Sequence, residues 1–431
     1  MTLNAGEKMD IAKEDLIRLA EEYETPFYYY DGNDMHDRYH AVRQILDNRV
    51  DIFLSLKANP NVALAKLFQS WGSGVEVASI GELSLALAAG YSPEQIIFSG
   101  PGKRITELKA AIEANIYSII AESLQELEHI QSLSREKGKI TKVAVRINPD
   151  NDLSPSSIKM AGVARQFGID ESQLDSFFNT LKACPNVCFS GIHVYLGTQN
   201  LKDDRILDGF KYTIKIADQL YDKYGVECNI INFGGGFGIP YFPHEQPLDM
   251  KSLIHELNQL ISSLEHKIYS KTRFIIESGR YLLAQSGAYV VKILYSKISK
   301  GERFYIVDGG MHHNAGATFR GRFIRNNYEI KAVPMKKSTL NPPMEKANVV
   351  GPLCTPEDCL GKSVVLEHLE PGDLIYVLDS GAYGLTYSPH SFLSHQMPLE
   401  LLKWHDQYFV IRQREEDMVH HVTDISPQII Y

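Results

Sequence analysis

The sequence predicts an α/β protein, with a (β/α)8 barrel followed by a mostly β domain. Eight short β-like runs recur in the first part of the chain, and the first four lie about 22 residues apart, as repeated βα units require. Stretches with apolar residues at helical spacing, such as 80–89 and 106–114, separate these runs. After Tyr281 the pattern changes to β-like runs and turns, and helical spacing returns only over residues 392–402.

The eight runs of the first part are residues 53–57, 75–79, 96–100, 118–122, 143–148, 189–195, 229–234 and 274–277, and the later ones are 288–295, 304–307, 363–366 and 374–378. Nearly continuous apolar runs joined by helices are typical of parallel strands that are covered on both faces. Eight of them favour a closed barrel, with a doubly wound open sheet as the alternative. We predict a barrel domain over 30–281 and a β domain over 282–431, joined by the N-terminal segment 1–29.

Composition and charge exclude several classes of protein. No run of about 18 apolar residues is present, and the stretch 1–14 lacks the apolar core of a signal peptide, so we expect a cytoplasmic protein without a membrane partner. Five scattered cysteines indicate reduced thiols, and the pair Cys354 and Cys359 lacks the second pair of a zinc ribbon, so no metal is predicted. The net charge of −9 argues against nucleic acid as a partner.

Ionisable residues gather at the ends of the predicted strands, where barrel enzymes carry their chemistry. Lys57 is the most informative, because an unpaired ammonium at the end of a buried strand costs free energy. A desolvated lysine has a lowered pKa and can form a Schiff base with a carbonyl group. The alternative is a lysine whose stem is buried and whose amine reaches solvent. The strand ends in order are Lys57, Glu76, Ser99, Glu122, Arg146, Tyr195, Gly234, and Glu277 with Arg280.

A run of three glycines, Gly234, Gly235 and Gly236, directly follows a predicted strand. Glycines allow a ligand to approach the backbone closely, and successive N–H groups can bind a phosphate. The run is neither the dinucleotide-binding fingerprint nor a P-loop. A tight turn without a ligand is the alternative.

The motifs together resemble the fold-type III decarboxylases that depend on pyridoxal 5'-phosphate (PLP), the diaminopimelate, ornithine and arginine decarboxylase group. The resemblance covers nearly the whole chain and implies an alanine racemase-like fold. The matching segments are Leu56-Lys57-Ala58-Asn59, Glu76-Val77-Ala78-Ser79, residues 191–199, Gly234-Gly235-Gly236, Glu277-Ser278-Gly279-Arg280, Gly351-Pro352-Leu353-Cys354 with Asp358, and Gly381-Ala382-Tyr383.

The resemblance implies a role for each motif. Lys57 holds PLP as a Schiff base, Glu277 pairs with the pyridine nitrogen, and Cys354 moves a proton at Cα from the neighbouring subunit of a homodimer. The implied cofactor-binding residues are Lys57, Glu76, Arg146, Tyr195, Thr198, Gly235, Gly236, Glu277, Gly279, Arg280 and Tyr383. The predicted substrate-binding residues are Arg280, Thr355, Asp358 and Tyr383, together with Arg320, which is predicted from its position in the basic stretch described below.

A carboxylate at position 277 favours decarboxylation over racemisation. Loss of CO2 leaves an electron pair at Cα, and a pyridine ring kept protonated by Glu277 can accept it. Racemases of this fold resemble the chain but place an arginine there. A PLP-binding protein without enzymatic activity is a further alternative, which the β domain and the segment from Cys354 to Asp358 disfavour.

Three departures from the family pattern bear on the substrate. Tyr195 replaces the usual histidine, although His193 lies on the same predicted strand face; Thr355 replaces a glutamate that holds a distal ammonium; and Ser278 replaces a proline. These departures resemble family members that act on an L-glutamyl group carried by an acyl-carrier protein in antibiotic biosynthesis. The alternative substrate is a free or conjugated diamino acid, such as diaminopimelate, ornithine or a siderophore precursor.

A basic stretch lies within this acidic chain, at Arg320, Arg322, Arg325, Lys331, Lys336 and Lys337. An acyl-carrier protein is acidic, and its phosphopantetheine arm is an anion, so local charge complementarity predicts that the stretch docks it. A solvated loop with no partner is the alternative.

Overall fold

The computed structural model describes residues 9–150, 164–264, 267–318, 326–335 and 343–414. The chain divides into two compact units. The first is built on Asp31–Gly287 with Gly381–Tyr383, and the second on Asp10–Tyr30, Ala288–Ser380 and the chain from Gly384 onward. Within the described ranges, no helix combines the length and the apolar character needed to cross a membrane.

Helices and strands alternate through the first unit. The elements up to the end of the barrel are α1 Lys13–Tyr23, β1 Phe27–Asp31, α2 Gly32–Arg43, β2 Val50–Ser55, α3 Val62–Ser70, β3 Gly74–Val77, α4 Ile80–Ala88, β4 Ile96–Phe98, α5 Ile105–Ala114, β5 Ser118–Ala121, α6 Leu124–Glu136, β6 Thr141–Asn148, β7 Ile169–Asp170, α7 Leu174–Lys182, β8 Val187–His193, α8 Asp203–Tyr224, β9 Ile230–Asn232, α9 Met250–Ser263, β10 Arg273–Ser278 and α10 Arg280–Leu283. Eight of these strands coincide with the eight predicted runs.

The eight strands form a closed parallel barrel. Their order is β5, β4, β3, β2, β10, β9, β8, β6, and β5 pairs with β6 to close the ring. The short β7 pairs with β6 outside the ring. The predicted (β/α)8 barrel is therefore confirmed, and closure rules out the doubly wound open sheet.

Serine caps turn the chain from strand to helix at the carboxyl end of the barrel. The Ser79 hydroxyl accepts the N–H of Glu82 at 3.2 Å, and the Glu82 carboxylate accepts the N–H of Ala78 at 2.7 Å. The same exchange joins Ser123, Glu126 and the N–H of Glu122. Because a helix end leaves N–H groups without partners, such reciprocal bonds fix its first residue. The strand-end residues are thereby held at one edge.

The barrel interior is filled by side chains and requires glycine at two strand positions. Phe53, Ile97, Ile230 and Ile275 form a buried cluster. The Phe53 ring lies where a Cβ at Gly74 would stand, at 2.5 Å. Gly191 in β8 has φ +149°, and a Cβ there would lie 1.8 Å from the Ile230 carbonyl oxygen.

The second unit is a mixed sheet, as predicted. Its further strands are β11 Gly287–Ser299, β12 Glu302–Val307, β13 Ile330–Val333, β14 Met344–Val350, β15 Cys359–Glu367, β16 Leu374–Val377, β17 Leu399–Trp404 and β18 Gln407–Arg412. The order is β15, β14, β12, β11, β1, β17, β18, and β16 joins β11 to β13. The N-terminal strand β1 thus lies inside this sheet, between β11 and β17.

Helical spacing over residues 392–402 was a wrong indication. The segment forms a short 3-10 turn over Phe392–Ser394 and then enters strand β17. Leu393 and Ser394 have φ of 59° and 54°, which an α-helix cannot accommodate. Pro398 also disfavours helix at the residue before it.

Replacing Gly191 by alanine should destabilise the protein. The new Cβ meets the Ile230 carbonyl, and the backbone conformation is strained for any L-residue, so we expect a loss of roughly 2–4 kcal/mol in unfolding free energy. Thermal unfolding measures the effect. The control is Gly102→Ala, since Gly102 has no heavy atom within 4 Å of the added Cβ. Equal midpoints for the two variants would contradict the barrel packing.

Candidate active site

Lys57 stands directly beyond β2, on a single 3-10 turn over Leu56–Ala58. Its Nζ donates to the Glu76 carboxylate, at 2.8 Å from Oε2 and 3.1 Å from Oε1. The Glu76 side chain is 1% exposed, whereas that of Lys57 is 45% exposed. The amine therefore contacts a buried carboxylate, while the rest of the Lys57 side chain is partly exposed.

The pair of Lys57 and Glu76 is held in its ionised form. Burial alone would lower the pKa of Lys57, but the charges of Glu76 and Glu277 raise it above its ordinary value. Burial likewise would raise the pKa of Glu76, and the Lys57 ammonium with the Ser99 hydroxyl lowers it. The sequence predicts a lysine with a lowered pKa, and the difference arises because two carboxylates outweigh desolvation.

Glu277 lies near the end of β10, with its side chain 4% exposed. Asn232 Nδ2 donates to its Oε1 at 2.7 Å, and His193 Nε2 lies 3.6 Å from the same oxygen. Burial, together with the charge of Glu76, raises the pKa of Glu277 to about 7, although Lys57 and Asn232 act in the opposite direction. Among the described residues, the Glu277 carboxyl group therefore contacts an amide and an imidazole but no lysine or arginine side chain.

The glycine triplet forms a turn that no other residue could occupy without displacement. Gly234 and Gly236 have φ of 66° and 96°. A Cβ at Gly235 would lie 2.2 Å from the Glu277 carbonyl oxygen, and one at Gly236 would lie 2.0 Å from that of Gly197. Close packing of the backbone against itself therefore requires glycine here, and Gly235 and Gly236 also line the cavity described next.

These groups line one small cavity. Its walls are Ser55, Lys57, Tyr195, Thr198, Gly235, Gly236, Phe237, Glu277, Gly279, Arg280 and Tyr383. Nine of the predicted cofactor-binding residues therefore meet at one cavity. The other two predicted residues contact members of this wall. Glu76 accepts a hydrogen bond from Lys57, and the Arg146 guanidinium lies over the Tyr195 ring.

Arg146 supports the Tyr195 ring. Its guanidinium carbon lies 5.7 Å from the Tyr195 ring centroid and 4.8 Å from that of Phe167. Its Nη1 lies 3.3 Å from the Glu122 carboxylate, which also accepts the N–H groups of Gly100 and Gly168. Tyr195 is consequently a fixed aromatic wall rather than a titrating group, because burial raises the pKa of its phenol.

Arg280 provides a positive charge in the wall of the cavity. Its guanidinium lies over the rings of Tyr383 and Tyr241, at 4.5 Å and 5.6 Å, and its Nη1 donates to the Tyr241 hydroxyl at 2.7 Å. Tyr383 is anchored by its N–H, which donates to the Ala58 carbonyl at 2.7 Å. Two tyrosines therefore fix the direction of this cation.

Three predicted residues, Cys354, Thr355 and Asp358, belong to the second unit. Cys354 is exposed. Asp358 is buried, and its carboxylate accepts the N–H of Met311 at 2.6 Å and of Leu353 at 2.8 Å. The Asp358 carboxylate therefore binds the backbone of its own loop at Leu353 and of a second segment at Met311. Arg320 and most of the basic stretch lie outside the described residues.

Sequence reasoning missed several residues of this site. Ser55 and Phe237 line the cavity, Asn232 contacts Glu277, and Tyr241 contacts Arg280. Asn232 could have been found, because a polar residue two positions before the glycine turn interrupts an apolar strand. Tyr241 carries no such signal, since it lies in an irregular segment after the turn.

The arrangement fits a carbonyl cofactor that carries a phosphate. A lysine amine, a glycine turn, a buried carboxylate and an aromatic wall share one cavity at the carboxyl end of a barrel. This combination defines the class of pyridoxal enzymes that use a (β/α)8 barrel.

Comparisons with known proteins specify the family. The family described as "Pyridoxal-dependent decarboxylase, pyridoxal binding domain" matches residues 33–284. The chain is 49% identical over 406 residues to the L-glutamyl-(BtrI acyl-carrier protein) decarboxylase of Niallia circulans, covering 94% of this chain and 95% of that protein. It is 30% identical to the diaminopimelate decarboxylase of Helicobacter pylori strain J99, covering 92% and 95%.

A solved structure gives the same result. The crystal structure of diaminopimelate decarboxylase from Helicobacter pylori complexed with L-lysine has a TM-score of 0.82 and 30% identity, covering 92% of this chain and 96% of that one. The chain belongs to the PLP-dependent decarboxylases, and the resemblance in its motifs is confirmed.

Glu277→Gln should stabilise the cofactor-free protein at alkaline pH. A carboxyl group with a raised pKa binds its proton more tightly when folded, so stability falls as the pH rises from 4.5 to about 7. Glutamine avoids this loss and keeps an oxygen that can accept from Asn232. We expect the thermal midpoint of the variant to exceed that of the wild type near pH 8, and the advantage to shrink towards pH 4.5.

The control for this measurement is Glu128→Gln, which removes an exposed carboxylate from α6. A difference between Glu277→Gln and the wild type that did not change with pH would contradict the assigned electrostatics.

Proposed function

We propose that this PLP-dependent decarboxylase acts on an L-glutamyl group, or a similar amino acyl group, carried as a thioester by an acyl-carrier protein in secondary metabolism. The 49% identity over 94% of the chain to a relative named for that substrate carries the proposal. The diaminopimelate decarboxylases are only about 30% identical over a similar length. Thr355, in place of a glutamate, supports the same substrate.

The residues of the cavity divide the binding of PLP among them. The Lys57 amine would hold the carbonyl carbon, the turn at Gly235 and Gly236 the phosphate, and Glu277 the ring nitrogen. When bound, PLP supplies an electron sink for the electron pair left at Cα after CO2 departs. The Tyr195 ring offers a flat apolar surface for stacking.

Glu76 fixes the position of the Lys57 amine. Its carboxylate accepts from Nζ at 2.8 Å, and the Ser99 hydroxyl donates to the same carboxylate and stabilises its ionised form. The Lys57 ammonium must lose a proton before it can attack a carbonyl, so the carbonyl of the incoming cofactor has to reach the amine at this fixed position.

Cys354 completes the proposed site as the group that moves a proton at Cα. Thiols can be tuned to titrate near neutral pH and are therefore suitable proton donors. Cys354 is exposed on the second unit, which supports a role towards a neighbouring subunit. We accordingly propose a homodimer with shared active sites and a cytoplasmic location.

Decarboxylation of a free or conjugated diamino acid is the second candidate, favoured by the many diaminopimelate decarboxylases among the relatives. A distal ammonium would need a carboxylate partner. Asp358 is less suited to this role, because both of its oxygens already accept backbone N–H groups. Thr355 has no charge to offer.

A decarboxylation screen tests the substrate. We expect CO2 release and the matching loss of mass from L-glutamyl-carrier protein, with free glutamate, diaminopimelate and ornithine at least about a hundredfold slower, as the loss of carrier contacts implies. Lys57→Ala is the control, and it should abolish both turnover and the visible absorbance of bound PLP. Turnover of free diaminopimelate alone would overturn the proposal.

The proposed docking of the carrier through the basic stretch has its own test. Changing Arg320, Arg322 and Arg325 to glutamine should raise KM for the carrier-bound substrate about tenfold or more, because salt-screened contacts of opposite charge are lost. Changing the exposed Lys66, Lys182 and Lys211 to glutamine removes the same charge elsewhere. If both triple variants show an unchanged KM, the stretch does not dock the carrier.

A further inference from the structure

His193 is a buried histidine beside the cavity whose polar atoms are unused. Its side chain is 3% exposed, and neither ring nitrogen has a hydrogen-bond partner among the described residues. Buried polar groups are almost always paired, so an orphaned imidazole at the end of a barrel strand points to a task that the cofactor-free protein does not show.

The position of His193 indicates that Glu277 is its partner. In the barrel, His193 lies between Arg146 and Asn232 in strand register. Its Nε2 is 3.6 Å from Glu277 Oε1, slightly beyond hydrogen-bond distance, and the same oxygen already accepts from Asn232. Such contacts are often long before the ligand is bound and then shorten.

The surrounding charges and burial determine the protonation state of the His193 ring. Burial and the positive charges of Arg146, Lys57 and Lys103 hold the pKa of His193 well below its usual range, so the imidazole is neutral. A neutral ring carries one N–H, and the carboxylate of Glu277 favours that proton on Nε2. The opposite tautomer would direct a lone pair at the anion.

We propose that His193 is a positioning residue, which donates a hydrogen bond from Nε2 to the Glu277 carboxylate when PLP is bound. With Asn232 it makes a pair of donors that keeps Glu277 ionised and directed at the ring nitrogen. The inference rests on the proposed role of Glu277 and does not depend on the substrate.

Two substitutions of similar size separate this task from packing. In His193→Gln the amide nitrogen reaches the place of Nε2, whereas in His193→Asn it reaches only the place of Nδ1. We expect His193→Asn to weaken PLP binding and lower kcat by about tenfold each, the order for a lost hydrogen bond to a charged group, with KM unchanged. His193→Gln should restore both to within about threefold.

PLP affinity is measured by titrating the cofactor-free protein and following its intrinsic fluorescence, so this arm requires no substrate. If Asn and Gln weaken binding equally, the ring acts through packing and the proposal is wrong. It is also wrong if neither substitution changes PLP affinity.

A double-mutant cycle with Glu277→Gln identifies the partner. If His193 acts through Glu277, His193→Asn should add little to the effect of Glu277→Gln on PLP affinity. Full additivity would overturn the proposal. If Glu277→Gln alone leaves PLP affinity unchanged, the proposed role of Glu277 is wrong, and the proposed role of His193 is wrong with it. A negative result in the substrate screen, in contrast, contradicts only the proposed substrate and neither of these two roles.

Discussion

The site depends on a charge imbalance that is buried at one end of the barrel. Two carboxylates, Glu76 and Glu277, lie there with a single lysine ammonium in contact with one of them. The positive charge of Arg146 also acts on Glu277, but Arg146 is already paired with Glu122. Among the described residues the carboxylates at this end outweigh the cations, which raises the pKa of Glu277 to about 7, and a cation placed at Glu277 would favour its ionised form. A protonated pyridine nitrogen has that charge, which supports the proposed pairing of Glu277 with the PLP ring.

A steric constraint connects this charge to the rest of the cavity. Asn232 donates to Glu277 through Nδ2 and accepts the N–H of Gly234 through Oδ1, at 2.7 Å and 2.9 Å. The Glu277 N–H in turn donates to the Gly234 carbonyl at 2.7 Å. The anion and the glycine turn are therefore parts of one hydrogen-bonded unit. Since a Cβ at Gly235 would strike the Glu277 carbonyl, this unit tolerates no side chain at the turn.

The sequence was sufficient for the barrel because its signals are local and repeated. The βα units combine an apolar run with an amphipathic helix, and two of the helices begin at a serine cap, Ser79 or Ser123; all of these signals are read from neighbouring residues. Residues 392–402 show the limit of such local signals. Their apolar side chains have helical spacing, but Leu393 and Ser394 adopt positive φ and the segment forms no α-helix. The lysine, the glycines and Glu277 were predictable as strand ends. The pairing of Lys57 with Glu76, and hence the raised pKa of the amine, was not, because it depends on distances between strands.

The loop from Leu353 to Asp358 has a consequence for engineering. Both ends are anchored, since the Asp358 carboxylate accepts the Leu353 N–H and the Asp358 N–H donates to the Thr355 carbonyl at 3.2 Å. Glycine is required beside the anchor, because a Cβ at Gly310 or Gly351 would strike the same carboxylate. Between these fixed ends lie Thr355, Pro356 and Glu357, of which the last two are exposed. Substitutions at the exposed positions therefore change the groups that the loop presents and leave the Asp358 anchor in place.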